Sequence, residues 1–278
     1  MTPAATAPSL LLHARSDQVA TLYGQWHRTT LSMALGAALL CTVLWREATA
    51  TAMLAWVAAI LANQAWRGQL ARAYRRAAPA AALASRWGGY WSIGSALAGA
   101  LWGIAAVAMF PASPAHQALL IVCLFGVTLG GLNLTAVYKP SFYGFVLPAL
   151  LPLIARVAWQ GDQVHLFTAL VMGVVLTFVL VYGHHLNDLL TQSLVMRYEN
   201  RDLIGELTAQ TAAAESARNA AENANRAKSQ FLAAASHDLR QPLHAMGLFA
   251  AALAVKAREP AVQPLVASIH ASVEALEA

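Results

Sequence analysis

A histidine and an aspartate stand side by side at positions 237 and 238, within the alanine- and leucine-rich run 231–243. Apolar residues recur there at threes and fours, which predicts a helix with one buried stripe. His237 lies about 200° around that helix from both Ala235 and Leu239, so we expect it to face solvent. Asp238 can accept a proton from one imidazole nitrogen, leaving the other free to attack phosphorus. The stripe comprises Leu232, Ala235, Leu239, Leu243, Met246, Ala250 and Leu253.

The surrounding residues read Ser-His-Asp-Leu-Arg-Gln-Pro-Leu at 236–243, after Phe231 and Leu232. This sequence resembles the phosphoacceptor box of sensor histidine kinases, which act in two-component systems. The usual box has phenylalanine followed by Ser-His-acid-Leu-basic-x-Pro-Leu. The chain departs from it in having aspartate where glutamate is commoner and glutamine before the proline.

The resemblance implies that His237 is the phosphoacceptor and Asp238 the general base of a protein-histidine kinase. The phosphoryl group would come from ATP and pass to an aspartate of a response-regulator receiver domain. His244 lies two helical turns further on the same face but lacks a following acid. We therefore expect His244 to be a surface residue.

The residues after the box predict a helical hairpin. Pro242 removes a backbone donor and should bend the first helix. That helix continues over 251–258 and is broken at 259–260, and a second helix follows to 278 with Pro264 in its first turn. Two helices cannot bury their apolar faces alone, so we expect residues 229–278 to form a four-helix bundle in a homodimer. The stripe of the second helix comprises Leu265, Ile269, Val273 and Leu276.

Residues 186–228 predict a linker made of one long helix or two merged helices, since no proline follows His185 until Pro242. Alanines there alternate spacings of four and three, a heptad-like seam that favours a parallel coiled coil. After Phe231 the spacing becomes successive fours, which departs from the heptad and locally unwinds a coiled coil. We interpret the linker as a signalling helix with two competing registers. The seam comprises Ala213, Ala217, Ala220, Ala224, Ala227 and Phe231.

The N-terminal part of the chain has the composition of a membrane protein. Apolar residues make up 58% of the chain and charged residues 11%, whereas soluble domains carry about a quarter charged residues. We expect residues 1–30 to form a cytoplasmic tail and 31–185 a membrane sensor domain of six spans. The predicted spans are 31–45, 48–66, 90–110, 118–137, 142–157 and 166–182. The predicted fold class is all-α throughout.

The distribution of basic residues predicts the orientation of these spans. One side carries only Arg46 and Arg156, so the positive-inside rule places the opposite side, with both termini, in the cytoplasm. The family resemblance then implies the inner membrane of a bacterium, with His237 on the side of ATP and response regulators. The cytoplasmic connections carry Arg15, Arg28, Arg67, Arg72, Arg75, Arg76, Arg86 and Lys139.

The external connections are too short to fold as a ligand-binding domain, so a stimulus would act within or beside the bilayer. His184 and His185 end the last span and could bind a metal or sense protons, although adjacent histidines point to different sides of a helix. Gly126, Gly130 and Gly131 favour close helix packing. Other polar candidates in the spans are Asn63, Gln64, Thr128 and Asn133.

Nothing in the chain resembles the Asn-rich and Gly-rich motifs of the family's ATP-binding domain. ATP with Mg²⁺ is therefore expected to bind a domain absent from this chain. We interpret the chain as part of a longer kinase. No metal site is predicted, because the adjacent His184 and His185 point to different sides of a helix. No nucleic-acid site is predicted either, because the basic residues lie where positive-inside topology requires them. One alternative is a multi-span transporter or membrane scaffold with a cytoplasmic coiled coil. Another is a phosphotransfer or dimerisation fragment without kinase activity.

Overall fold

The computed structural model describes residues 7–256 and 262–277, and those residues form helices joined by turns, with no strand among them. The all-α class is thereby confirmed for the described chain. The chain divides into two compact units, Met1–Leu203 and Ile204–Ala278. The helices are α1 Ala7–Gly24, α2 Trp26–Leu44, α3 Ala50–Ala77, α4 Ala84–Ala108, α5 Pro114–Thr135, α6 Lys139–Ala158, α7 Gln163–Lys256 and α8 Gln263–Glu277, with a short 3₁₀ turn at Ala81–Leu83 before α4.

The core of the first unit is built around the close approach of α4 and α6. A Cβ atom added to Gly99 would overlap the carbonyl oxygen of Phe145, and one added to Gly103 would overlap that of Pro148. The two glycines are four residues apart and so share one face of α4. Small residues at this spacing allow helix backbones to approach closely in membrane proteins.

The glycines that the sequence singled out for close packing have a different environment. A Cβ atom on Gly126, Gly130 or Gly131 would meet nothing within 4 Å. The expectation that this patch packs helices together is therefore wrong within the chain. Close packing comes instead from glycines that directly face a neighbouring backbone or aromatic ring, such as Gly183 against Phe142.

Five described helices are long and apolar enough to cross a membrane, namely α2, α4 with its preceding turn, α5, α6 and α7. The predicted second span, 48–66, falls in α3, which is not among them. Asn63, Gln64 and the arginines of its C-terminal half make α3 more polar than the others. The arrangement of six spans thus stays a prediction, while several long apolar helices are compatible with membrane insertion.

Large apolar side chains point outward from the helices of the first unit. A soluble protein seldom exposes so broad an apolar surface, and such surfaces mark contacts with membranes or partners. The N-terminal half of α3 also exposes large apolar side chains, as expected of a helix in contact with lipid. Outward-facing residues include Leu35 of α2, Leu54 of α3, Ile104 of α4, Val122 of α5 and Phe178 of α7.

The segment expected to be a tail contains an ordered helix, α1, that packs onto the rest of the first unit. Val19, Leu22 and Tyr23 of α1 are buried. The Tyr23 ring stacks on Tyr74 at 4.1 Å between centroids, and its hydroxyl donates to the carbonyl oxygen of Trp87 at 2.9 Å. This aromatic cluster joins α1 to α3 and α4, so the N-terminal segment is part of the folded core.

In the second unit, α7 continues as an α-helix through the predicted linker and past Pro242 to Lys256. This confirms that the linker is one helix. The alanines of the predicted seam are exposed in the single chain, which leaves that face uncovered. The predicted break at 259–260 lies outside the described residues. Helix α8 carries Pro264 in its first turn, as expected.

Candidate functional site

His237 and Asp238 lie on α7, where alanine- and leucine-rich sequence favours a regular helix. Nδ1 of His237 is 3.4 Å from Oδ1 of Asp238. Their side chains are 68% and 81% exposed, respectively. The imidazole is therefore open to an incoming reactant, and the carboxylate lies next to Nδ1 rather than Nε2.

This contact is longer than the 2.7–2.9 Å that is typical of charge-assisted N–H···O hydrogen bonds. Hydrogen bonds of catalytic groups are often long before substrate is bound and shorten in the reactive complex. The arrangement can orient the imidazole so that Nδ1–H points to the carboxylate. Nε2 then carries the lone pair, which is the requirement for nucleophilic attack.

The predicted stripe beside the site is only partly covered by this chain. Ala250 is buried, while Leu239 is 64% exposed and Met246 48% exposed. Leu232 and Leu253 are also about half exposed or more. The single chain therefore leaves an apolar face uncovered on the helix that carries His237.

Helix α8 packs on α7 with a face that coincides only in part with the predicted stripe, which shares Val273 with it. Val266 and Val273 are 2% and 6% exposed, whereas Leu265 and Ile269 are exposed. Cγ1 of Val273 lies 3.5 Å from where a Cβ of Gly247 would be. The intrachain contact uses Val266 and Val273, and Leu265 and Ile269 of the predicted stripe remain outside; the side chain of Leu276 lies outside the described part of the chain.

His244 is exposed like His237 and lies seven residues further along α7. No aspartate or glutamate follows it directly, since residue 245 is alanine. The two histidines thus share a helix and an exposed surface but differ in their neighbouring acid. His244 is consequently a matched comparison for any test of His237.

The polar residues predicted for the spans have different environments. Thr128 donates to the carbonyl oxygen of Leu124, one turn back in α5. Asn63 of α3 donates to the carbonyl oxygen of Gly94 in α4 at 3.2 Å. Gln64 is buried and Asn133 is exposed. Hydrogen bonding within and between helices accounts for Thr128 and Asn63, as expected of polar groups in such helices.

His184 has close polar neighbours on α6 and α7. Its Nδ1 lies 3.0 Å from the hydroxyl of Tyr143, and its Nε2 lies 3.3 Å from Nζ of Lys139. Oδ2 of Asp188 is also 3.3 Å from that Nε2. These polar groups meet around His184, whereas the adjacent His185 projects from another side of the helix. The two histidines therefore do not converge on one ligand.

Contacts between α1 and α7 were not foreseen from the sequence. The Tyr198 hydroxyl donates to the Asp17 carboxylate at 2.8 Å, which raises the pKa of Tyr198. Gln18 donates to the hydroxyl of Thr191 at 2.8 Å. The sequence pattern indicates these contacts only weakly, because Asp17 and Gln18 lie in a mixed polar segment and have many possible partners. These bonds attach the N-terminal helix to α7 just after the predicted last span.

Residues 227–278 match the family model of the His Kinase A (phospho-acceptor) domain. The matched segment contains His237, Asp238 and α8, and it supports the assignment to the histidine kinase family and to two-component signalling. Domains of this family typically dimerise. No protein of curated function matches the chain. No solved structure matches it either.

Proposed function

We propose that the chain is the sensor and phosphoacceptor part of a membrane histidine kinase. The observation that carries the proposal is an exposed histidine with an acid beside Nδ1, inside a segment that matches the phosphoacceptor domain. His237 is the phosphoacceptor and Asp238 the general base. The phosphoryl donor is ATP with Mg²⁺, held by an ATP-binding kinase domain, and the acceptor is an aspartate of a response-regulator receiver domain.

The chemistry uses both nitrogens of the imidazole. Nε2 of His237 attacks the γ-phosphorus of ATP, an N–P bond forms, the bond from that phosphorus to the bridging oxygen breaks, and ADP leaves. Positive charge develops on the ring, and Asp238 stabilises it or accepts the Nδ1 proton. The phosphoryl group then passes to a carboxylate oxygen of the receiver as the N–P bond breaks, and Nδ1 keeps its proton or regains it from Asp238, which regenerates neutral His237.

The uncovered apolar face supports a homodimer as the working form. Leu239, Met246 and Leu253 of α7 lie beside the site and are about half exposed or more in one chain. Leu265 and Ile269 of α8 add to the exposed apolar surface. A second copy would bury these side chains in a four-helix bundle. Coiled-coil pairing along the exposed alanine seam is the corresponding proposal for the linker.

The apolar first unit supports a place in the bacterial inner membrane with both termini in the cytoplasm. Six spans would put His237 on the same side as ATP. The sensor would then receive its stimulus within the bilayer or at the cytoplasmic face. Transmission to the phosphoacceptor would run along α7, which contains the predicted last span, the linker and His237.

The proposal is tested by phosphorylation with a γ-labelled ATP and a histidine kinase ATP-binding domain, supplied in trans or fused after Ala278. The wild-type chain should gain an acid-labile label. His237→Gln should gain none, while His244→Gln should keep the wild-type level because it changes a similar exposed histidine on the same helix.

Two results would count against the assignment. A label that survives in His237→Gln would place the phosphoacceptor elsewhere. Equal loss in His237→Gln and His244→Gln would point to damage of the helix rather than removal of a nucleophile. Circular dichroism and size-exclusion chromatography of both variants separate these cases, since neither substitution removes a buried side chain.

A further inference from the structure

The first unit contains a cavity of about 420 Å³ between α1, the start of α6 and α7. Its volume is within the range of small-ligand sites. Two of its walls are built from polar side chains that are almost fully buried, Gln18 at 6% and Asn187 at 5% exposure. Leu11 and Leu12 of α1, both exposed, line the apolar part of the same cavity.

The cavity carries an excess of positive charge. Arg15 and Lys139 line it together with the carboxylate of Asp188. Nζ of Lys139 lies 2.7 Å from Oδ1 of Asp188, and this contact lowers the pKa of Asp188, so the carboxylate stays ionised at neutral pH. Arg15 donates to a neutral group, the Ser85 hydroxyl, at 3.3 Å. The two cations and one carboxylate therefore leave a net positive charge for a ligand.

The buried amides are already oriented by the fold. Nδ2 of Asn187 donates to the carbonyl oxygens of Ala136 and Val137, both at 2.8 Å. Gln18 donates to Thr191 across the cavity wall. These bonds join α1 and the segment after α5 to α7, so the cavity wall formed by Gln18, Asn187 and Thr191 is held together by hydrogen bonds.

We propose that this cavity binds the phosphate of an anionic phospholipid from the cytoplasmic leaflet. Arg15 and Lys139 would contact the phosphate, and Leu11 and Leu12 the first carbons of the acyl chains. The cavity lies where such a lipid would be, since Lys139 begins the apolar helix α6 and Asn187 closely follows the predicted last span. Basic pockets at the cytoplasmic ends of membrane helices are suited to lipid phosphates.

A lipid in this cavity would contact both α1 and α7. Since α1 also holds Tyr198 through Asp17, occupancy would strengthen the attachment of α1 to α7 before the linker. This regulatory part rests on the proposed function, because it assumes that α7 transmits a signal to His237. The binding part rests only on the proposed membrane location and orientation, not on the kinase activity, and it is measured without any phosphorylation.

The test uses the whole chain, purified and reconstituted in nanodiscs of phosphatidylcholine, into which phosphatidylglycerol is titrated. Native mass spectrometry counts the retained anionic lipid and gives its affinity. We expect Arg15→Gln and Lys139→Gln each to weaken retention about fivefold, as for the loss of one cation near a phosphate. Arg75→Gln removes an exposed arginine of α3 outside the cavity and should leave retention unchanged.

Three outcomes would overturn the lipid assignment. One is an equal loss in Arg75→Gln, which would mean attraction by surface charge in general. Another is the absence of any preference for phosphatidylglycerol over phosphatidylcholine. The third is saturable binding of inorganic phosphate that displaces phosphatidylglycerol, which would assign the cavity to a soluble anion. Retained lipid with no change in phosphorylation of His237 would overturn only the regulatory part.

Discussion

At the scale of single residues, the proposed site is a histidine with a carboxylate beside one of its ring nitrogens. The carboxylate of Asp238 is close to Nδ1 of His237, and both side chains are open to solvent. An exposed polar pair of this kind adds little to folding stability. The pair is thus suited to a chemical role that can change without unfolding the helix.

The first prediction concerns Asp238→Asn, which removes the proposed base but keeps the size of the side chain. Phosphorylation of His237 should slow by about 10²–10⁴-fold, the usual contribution of a positioned general base. Dimer content, measured by analytical ultracentrifugation, should stay near the wild-type value because the carboxylate is exposed. Parallel losses of rate and dimer would refute the role as a base.

The sequence predicted the pair and its exposure because both follow from residue type and helical phase. It did not predict how exposed the neighbouring apolar side chains would be. Leu239 was expected in a buried stripe and is 64% exposed, since the periodicity identifies an apolar face but not the chain that covers it. The Asp17–Tyr198 bond was missed for a similar reason, as pairings between distant polar residues leave no periodic trace.

At the scale of helices, the tightest packing is that of α4 on α6 through Gly99 and Gly103. We predict that Gly103→Ala destabilises the first unit by about 1–3 kcal/mol, the usual cost of overpacking. Its new Cβ would overlap the backbone oxygen of Pro148, which cannot rotate away. Thermal unfolding in detergent measures the effect.

Gly126→Ala is the control for this experiment, because its Cβ would meet nothing within 4 Å. It should be neutral or slightly stabilising, since alanine favours helix more than glycine. If both variants lose stability equally, the close approach of α4 and α6 is not the cause. This contrast also shows where sequence reasoning failed, because a glycine-rich patch gives no indication of which glycines face another helix.

The second prediction at the scale of helices concerns the linker part of α7. Insertions or deletions of one to seven residues near Ala213, in a fusion with a kinase domain, should change autophosphorylation with helical phase. Activity should recover near a change of seven residues, because two turns restore the orientation of the seam. Identical output at every length would mean that the linker is only a tether.

Helix α8 shows why the boundaries of elements were easier to predict than their faces. Pro264 in the first turn follows from the backbone chemistry of proline. The predicted stripe includes Leu265, Ile269 and Val273, but Val266 with Val273 is also an apolar set at helical spacing, and periodicity alone does not rank the two. The chain buries Val266 and Val273 and leaves Leu265 and Ile269 exposed.

At the scale of the whole molecule, the outward apolar surface and the basic connections together predict the topology. Reporter fusions after Gln117 and Asp162 should read as external, and fusions after Arg76 and Ala278 as internal. The fusion at Arg76 tests α3 directly, because an external signal there would mean that α3 does not cross the bilayer. That result would also separate His237 from cytoplasmic ATP.

The bonds of α1 impose an order on how the molecule can be assembled. Gln18 and Thr191 are 173 positions apart, and Asp17 and Tyr198 are 181 apart. A ribosome makes α1 first and its partners on α7 only after α2 to α6. The face of α1 that contacts α7 therefore lacks its partners while most of the first unit is synthesised. Helix α1 can dock on α3 and α4 through Tyr23 as soon as these helices are made, but its bonds to α7 complete the first unit, so a tag that displaces α1 would impair assembly at this late step.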